Sequence, residues 1–420
     1  MRDRIRLKKT ILSVILMLVM VALPSCQTFD SFVHTFIEKG TEDNTNVIYI
    51  GVIESKSGKN ADKGNNQIKG IELAHKIYNN VNGQDISLII VDDKSSTETA
   101  KTATEELIKM NPAAIIGSAG NATTLIASTY VGDAKIPAIT PSATNPLIAQ
   151  NNGYYFIADT TASQQGEGLA EYAASELGSD SIGIVNIRNE SASDYFVSSF
   201  RKNLKAYEKR NGDVGAVVSY NEILVTDEKM YPAVRDLRNK GADTVLLPLQ
   251  TAQANEFFRE IEKMGMTDIT FLGTEEWGGA DFQRMLKKHP DIKVAFPYNS
   301  QDLDSAASKA TVTKEARRFQ IEYERMYGEE DIPTQDAALG YDSYLLIINA
   351  IEKAKSVKGE DIRKALIELS GIHCATGIFE FDSSGTTIKS VNIATVQDGN
   401  IVPVYTTKSR TTAESIEVAQ

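Results

Sequence analysis

The sequence has few of the residues from which enzyme and metal sites are usually built. It contains two cysteines and four histidines in 420 residues, and no pair of histidines has a metal-ligand spacing. HExxH, CxxC and GxSxG motifs are absent, and no Walker loop or GxGxxG fingerprint follows the first predicted strand. These absences argue against a metalloenzyme, a serine hydrolase and a nucleotide-dependent enzyme. We therefore predict a protein that is not an enzyme and that needs no cofactor or metal.

Acidic residues outnumber basic ones in this chain, 56 to 44. The net charge is −12, and no basic stripe follows Lys9. This balance disfavours nucleic acid and anionic membrane surfaces as partners. No apolar run after Leu23 reaches the length of a membrane span.

The N-terminus has the pattern of a secretory signal. Basic residues precede a 13-residue apolar run, Ile11–Leu23, which is too short for a typical membrane span. The run ends in Leu-Pro-Ser-Cys, which resembles a bacterial lipobox. We predict a lipoprotein signal peptide over residues 1–25, a lipid on Cys26, and a tether over 26–45 that anchors an extracytoplasmic body to a bacterial membrane. Ordinary secretion with a free Cys26 is the alternative.

Short apolar runs alternate with helix-compatible segments from Val47 onward. The first are a strand at Val47–Ile53, a polar loop at Glu54–Asn66 and an amphipathic helix at Gln67–Asn79. A second series of this kind begins at Ser163, and Val391–Gln397 and Ile401–Tyr405 flank an Asp-Gly turn typical of a hairpin. This alternation predicts an α/β fold with doubly wound parallel sheets.

Two neighbouring strand–loop units indicate a small-molecule site. The apolar runs Ala113–Ile116 and Ile136–Ile139 each break into small polar residues, Gly117–Asn121 and Thr140–Asn145. In open α/β sheets ligands bind outside the carboxyl ends of the strands. The N–H groups of the first loop, with the following helix N-terminus, suit a carboxylate. Helix capping, for example by Asn121, is the alternative for each loop.

Acidic pairs follow two other predicted strands. Glu275 and Glu276 precede Trp277, and a carboxylate facing the polar loops would complete a site for a zwitterion. The alternative is a solvated acidic loop with Trp277 packed on the surface. Asp92 and Asp93 form the other pair, and we prefer a structural hydrogen-bonding role for it to a metal site.

An ordered set of short motifs extends over most of Val47–Tyr405. The motifs include Ile50-Gly51-Val52, Ile115-Ile116-Gly117, Pro141-Ser142-Ala143-Thr144-Asn145-Pro146, Phe271-Leu272-Gly273-Thr274-Glu275, Gly340-Tyr341-Asp342 and Gly377-Ile378-Phe379-Glu380-Phe381-Asp382. With this set the chain resembles the type I periplasmic solute-binding proteins, in particular the leucine/isoleucine/valine-binding family of branched-chain amino acid ABC importers.

The resemblance implies two doubly wound lobes that are joined by a hinge of three crossings and close on a ligand. The N-terminal lobe is expected over residues 46–162 plus 298–376, and the C-terminal lobe over 163–297 plus 377–408. Residues 409–420 are expected to be a disordered tail. The implied partners are a small amino-acid-like ligand and an ABC permease, and the implied state is a monomer.

The resemblance also places the ligand-binding positions of the family on this sequence. They fall on Ala119, Gly120, Asn121, Ser142, Thr144, Gln250 and Glu275. The loop N–H groups, Asn121 and Thr144 would hold the carboxylate of an amino acid, and Glu275 with the Ser142 carbonyl would hold its ammonium group.

Three positions depart from the family and change the expected ligand. Aromatic positions of the family fall near Lys63 and Ala192 and on Gln250. The pocket is therefore expected to be more polar, which favours a polar amino acid, an amide or another small polar solute over an aliphatic one. We predict a solute-binding lipoprotein of an ABC importer. A sensory or regulatory lipoprotein that acts on a non-transporter partner is the alternative.

Overall fold

The structure is a computed structural model, and it describes residues 46–407 except 151, 212–214, 225, 227–229, 267 and 300–311. The predicted signal peptide, Cys26, the tether and the tail 409–420 lie outside these residues. By its internal contacts the chain divides after Val47, and nearly all of the described residues belong to the unit that begins at Ile48. Among the described residues, no helix combines the length and apolar character needed to cross a membrane.

Strands and helices alternate along most of the chain. The strands are β1 (Val47–Glu54), β2 (Asn80–Val81), β3 (Gln84–Asp92), β4 (Ala114–Gly117), β5 (Ala138–Thr140), β6 (Tyr155–Ile157), β7 (Ser181–Ile187), β8 (Ala216–Ile223), β9 (Thr244–Leu246), β10 (Thr270–Leu272), β11 (Lys293–Pro297), β12 (Ile372–Cys374), β13 (Gly377–Phe379), β14 (Asn392–Gln397) and β15 (Asn400–Thr406). The helices are α1 (Ala61–Ile77), α2 (Thr97–Lys109), α3 (Asn121–Ala134), α4 (Leu147–Gln150), α5 (Ala162–Tyr172), α6 (Ser191–Asn211), α7 (Tyr231–Lys240), α8 (Thr251–Lys263), α9 (Ala280–Leu286), α10 (Lys314–Tyr327), α11 (Gln335–Ala354) and α12 (Gly359–Ile367).

The first sheet has the strand order β2-β3-β1-β4-β5-β6. Strands β1, β4, β5 and β6 are parallel to one another, and β2 is antiparallel to its neighbour β3. Every residue of β4 and β5 is buried. Helices cover both faces of such a sheet, which explains why these strands appear in the sequence as continuous apolar runs without alternation.

The second sheet has the order β15-β14-β11-β10-β9-β7-β8. Strands β7 to β11 pair in parallel, whereas β14 is antiparallel to both β11 and β15. The predicted terminal hairpin is confirmed, and its turn residues Asp398 and Gly399 both have positive φ, 52° and 78°. The α/β fold with parallel-dominated sheets is therefore confirmed. The predicted lobe boundaries stay a prediction.

Helix α1 begins earlier than the sequence pattern indicates. The loop predicted for Glu54–Asn66 is wrong at its end, because the helix starts at Ala61. The first turns of α1 carry polar residues on their exposed side, so they show no apolar periodicity. Their buried contact is made by Gly64, where a Cβ atom would lie 2.3 Å from the carbonyl oxygen of Ser55.

Helices α1 and α11 approach each other through two glycines. A Cβ atom on Gly70 would lie 1.8 Å from the carbonyl oxygen of Ala337, and one on Gly340 would lie 2.2 Å from that of Gln67. Helix α11 is buried over nearly its whole length in the core beside the first sheet. The close approach therefore holds α1, which carries Lys63, against the core.

We expect Gly70→Ala to destabilise the protein, because the added methyl group meets backbone atoms that cannot rotate away. Overpacking of this kind costs about 1–3 kcal/mol or more. Urea unfolding measures the effect, with Lys76→Ala on the exposed face of the same helix as the control. Equal free energies of unfolding for the two variants would show that the helices do not approach this closely.

Candidate functional site

A cavity of about 420 Å³ lies where strands of both sheets end. Its lining includes the loops after β4, β5, β7, β9 and β10 and the starts of α1 and α5. All of the predicted ligand-binding residues contribute to it, namely Ala119, Gly120, Asn121, Ser142, Thr144, Gln250 and Glu275. The structure therefore brings this set together, and their roles toward a ligand remain predictions.

The loop after β4 presents the N-terminus of α3 to the cavity. Gly120 is the N-cap residue, with φ −109° and ψ 142°, and Ala122 and Thr123 line the cavity beyond it. The first N–H groups of a helix have no partner within the helix and carry a partial positive charge. This end of the cavity can therefore bind an anion.

Asn121 ties the two polar loops together. Its side-chain oxygen accepts hydrogen bonds from the N–H groups of Thr144 (2.8 Å) and Asn145 (2.9 Å). It does not cap α3, since the cap residue is Gly120 and no side-chain capping bond forms. The capping alternative is thus wrong for Asn121. Its amide nitrogen has no partner among the described residues and remains able to donate to a ligand.

A hydrogen bond to helix α1 holds the loop after β5. The Ser142 hydroxyl contacts Gln67, which lies in α1, so the Ser142 side chain already has a hydrogen-bond partner. The Gln67 amide is oriented so that its nitrogen donates a hydrogen bond to Glu54 at 2.8 Å, and its oxygen then accepts a hydrogen bond from the Ser142 hydroxyl.

Burial, with the charges of Asp93 and Asp336, raises the pKa of Glu54 well above its usual range. The Thr144 hydroxyl has no partner in the described part of the chain.

Glu275 lies in a single 3₁₀ turn, Glu275–Gly278, directly after β10, and only 5% of its surface is exposed. Its carbonyl oxygen accepts a hydrogen bond from the Gln335 side chain (3.0 Å). Trp277 is completely buried, stacks on Phe282 at 4.5 Å and donates its indole N–H to Leu249. The surface-packed alternative for Trp277 is therefore wrong, and the indole anchors the turn that carries Glu275.

Burial raises the pKa of Glu275 to about 8. The positive charge of Lys63 opposes this rise, and the negative charges of Asp159 and Glu276 add to it. A second positive charge beside the carboxylate would favour its ionised form. Glu275 is thus a buried acid that can bind an ammonium group.

Lys63 lies in the first turn of α1 and lines the same cavity. Burial by itself would lower the pKa of Lys63, but the carboxylates of Asp336, Glu275, Glu276 and Asp159 outweigh it and hold the pKa above its usual range. Lys63 is therefore charged at neutral pH. The expected polar character of the pocket at this position agrees with the structure.

Sequence reasoning did not single out Glu190 as a lining residue. Its carboxylate accepts hydrogen bonds from the N–H groups of Ala192 (3.2 Å) and Ser193 (2.5 Å) at the start of α6. The available signal was its position just after a buried strand, β7, as for the other loops of the site.

Asp92 and Asp93 have the structural role that we preferred for them. Asp93 accepts hydrogen bonds from the Ser55 hydroxyl (2.6 Å) and from the Ser95 N–H (2.8 Å). Asp92 accepts from the Ser57 hydroxyl (2.7 Å) and from nearby N–H groups. Among the described residues, no group of three or more His, Cys, Asp and Glu side chains is arranged to hold a metal ion.

Residues 47–400 match the profile of the periplasmic binding protein family. The chain is also similar to an amino acid binding protein of Pseudomonas aeruginosa, with 25% identity over 227 residues. This match covers 52% of the present chain and 58% of the relative's length.

Solved structures support the same fold. A leucine binding protein, LivK, from Thermotoga maritima has a TM-score of 0.75 and 23% identity, covering 86% of this chain and 98% of that one. The substrate-binding protein LivJ from Streptococcus pneumoniae, in complex with isoleucine, has a TM-score of 0.73 and 23% identity over 86% and 99% of the two chains. A solute-binding protein from R. palustris in complex with 4-hydroxybenzoate has a TM-score of 0.72 and 20% identity over 88% and 100%.

These comparisons confirm the predicted fold of the type I periplasmic binding proteins. The matched family and these relatives are solute-binding proteins rather than enzymes, in agreement with the predicted binding site without catalysis.

We expect Asn121→Ala to destabilise the cavity wall, because two N–H groups of buried residues lose their shared acceptor. Leaving such donors unpaired costs about 1–3 kcal/mol. Asn121→Asp keeps the accepting oxygen and should restore most of the loss. Thermal and urea unfolding of both variants measure the difference. Equal losses for alanine and aspartate would mean that this oxygen does not tie the loops.

Proposed function

Because the chain belongs to the periplasmic binding protein family, we propose that it is the extracytoplasmic solute-binding component of an ABC importer. It captures an amino acid or a similar small polar solute without changing it chemically. The observation that carries this proposal is the juxtaposition, in one cavity, of a helix N-terminus that suits a carboxylate and a buried acid, Glu275, that suits an ammonium group.

The headgroup of the ligand binds between the two charged ends of the cavity. Its carboxylate accepts hydrogen bonds from the loop at Ala119 and Gly120, from the free amide nitrogen of Asn121 and from the Thr144 hydroxyl. Its ammonium group binds Glu275 and the carbonyl oxygen of Ser142. The tie between Asn121 and the backbone of Thr144 supports this role, because it keeps the carboxylate-binding groups in a fixed arrangement before the ligand arrives.

The remainder of the ligand occupies a polar region. Lys63, Ala192 and Gln250 all line the cavity, at or near positions where the family resemblance implies aromatic side chains. Among the relatives, LivJ was solved with isoleucine and a R. palustris protein with 4-hydroxybenzoate, so the fold accepts ligands of different chemistry. The polar lining favours a polar amino acid or amide for this chain.

Transport requires that the protein change shape when the ligand binds. In this proposal the lobes 46–162 plus 298–376 and 163–297 plus 377–408 close on the ligand and present a new surface to a permease. A lipid on Cys26 keeps the protein at the membrane beside that permease. Genes for a permease and an ATPase next to its own would support import, whereas a sensor gene in that place would favour the regulatory alternative.

We expect Glu275→Gln to abolish amino acid binding, because the ligand ammonium group loses its buried counter-charge. A thermal-shift screen of amino acids and small amides identifies the ligand, and saturation at 100 times the Kd should stabilise the native protein by about 2.7 kcal/mol. Isothermal titration then compares the variant with an exposed control, Glu329→Gln. Unchanged affinity in Glu275→Gln, or shifts only with acids that lack an amine, would contradict the ammonium role.

The affinity for an amino acid should depend on pH between about 6 and 8. The free protein has a protonated Glu275 below its pKa of about 8, and the ammonium group binds the ionised form. Binding therefore releases a proton, and affinity falls by up to about tenfold per pH unit as the pH decreases below 8. Titration in buffers of different ionisation enthalpy measures the released proton. A constant affinity over this range would contradict the assignment.

A further inference from the structure

Gln165 presents an unused hydrogen-bond acceptor to the cavity. It lies near the start of α5, is only 1% exposed and lines the cavity. Its amide nitrogen donates to the carbonyl oxygen of Thr160 at 2.9 Å. Because a carbonyl oxygen only accepts, this bond fixes the orientation of the amide. The side-chain oxygen Oε1 then has no hydrogen-bond partner among the described residues, and a buried acceptor of this kind calls for an N–H or O–H donor inside the cavity.

Backbone contacts fix the part of α5 that carries this acceptor. The N–H group of Ala162 donates to the carbonyl oxygen of Thr144 at 2.8 Å, which joins the start of α5 to the loop after β5. A Cβ atom on Gly166 would lie 2.1 Å from the carbonyl oxygen of Phe196, so α5 packs directly on the backbone of α6. The oxygen of Gln165 is therefore presented from a fixed position, which lowers the entropy cost of binding a ligand there.

Gln165 lies close to both groups that the proposed function assigns to the ligand ammonium group. The start of α5 contacts the loop after β5, and this loop supplies the carbonyl oxygen of Ser142. On the other side, Thr160 directly follows Asp159, whose negative charge acts on Glu275. The amide of Gln165 is therefore near the part of the cavity to which Ser142 and Glu275 belong.

The charges in this part of the cavity are compatible with a ligand cation. The carboxylates of Asp336, Glu275, Glu276 and Asp159 all act on the ammonium group of Lys63. Because four acids surround one lysine, a second ammonium group meets more negative than positive charge there. The donor that reaches Gln165 is therefore best supplied by the ligand ammonium group.

We propose that Gln165 is a specificity-determining residue that accepts the third hydrogen bond of a primary ammonium group. Such a group has three N–H donors, and the proposed headgroup assigns two of them, to Glu275 and to the carbonyl oxygen of Ser142. The ligand is then an amino acid with an unsubstituted amine. An N-methyl amino acid has one N–H fewer and leaves one buried acceptor unpaired. This inference rests on the proposed function, since it completes the same headgroup assignment.

The test compares primary amino acids with their N-methyl derivatives. A thermal-shift screen of the purified protein ranks the standard L-amino acids that have a primary amine. Isothermal titration then compares the tightest binder with its N-methyl derivative, for example L-serine with N-methyl-L-serine. The wild-type protein should bind the primary amino acid at least about tenfold more tightly.

The variant Gln165→Met has a side chain of similar length without the acceptor oxygen. It should bind the primary amino acid about tenfold more weakly and should lose the preference over the N-methyl derivative, because no acceptor awaits the third N–H. Gln320→Met is the matched control, since Gln320 lies on the exposed face of another helix, α10. It should bind both ligands as the wild-type protein does.

The outcomes separate this inference from the function on which it rests. If the wild-type protein binds the N-methyl derivative as tightly as the primary amino acid, or if Gln165→Met weakens both by the same factor, the role of Gln165 is wrong while the amino acid receptor stands. If no amino acid binds to wild-type protein, the proposed function fails and the inference fails with it. Should Gln165→Met not fold, Gln165→Leu takes its place, and the wild-type pair of ligands can still overturn the proposal.

Discussion

Parallel strand pairing is the constraint on which the site depends. Parallel neighbours point the same way, so the loops at their carboxyl ends gather at one edge of each sheet. The loops after β4 and β5 lie side by side because these strands pair directly, with Ile115 opposite Ala138. The loops after β9 and β10 are neighbours for the same reason. Segments that are far apart in the sequence thereby line one cavity.

Charge gives this cavity its chemical character. Glu275 is buried and would be costly to ionise alone, whereas Lys63 beside it favours the ionised form. Because burial and Lys63 act in opposite directions, a ligand ammonium group can shift Glu275 from its protonated to its ionised form. The helix N-terminus at Gly120 attracts the opposite charge. A zwitterion is therefore complementary to the site.

The supporting contacts show why these groups are held in place. Trp277 fixes the turn of Glu275 by stacking on Phe282 and donating to Leu249. Asn121 fixes the loop after β5 through two backbone N–H groups. The sequence singles out both residues but does not predict these roles, because each residue has a hydrogen-bond partner more than 20 positions away in the chain. The sequence pattern also does not predict the early start of α1. The first turns of this helix pack through the backbone at Gly64 rather than through apolar side chains, so they show no apolar periodicity.

The sequence by itself determined the alternation of strands and helices, the α/β class, the polar loops at strand ends and the family. These features are local, because apolar runs, turn residues and short motifs act within a few positions of the chain. Only the tertiary structure decided that the seven predicted residues line one cavity and that Lys63 faces the acids there. Burial and charge at a site depend on which distant segments come together, and no local pattern contains that information.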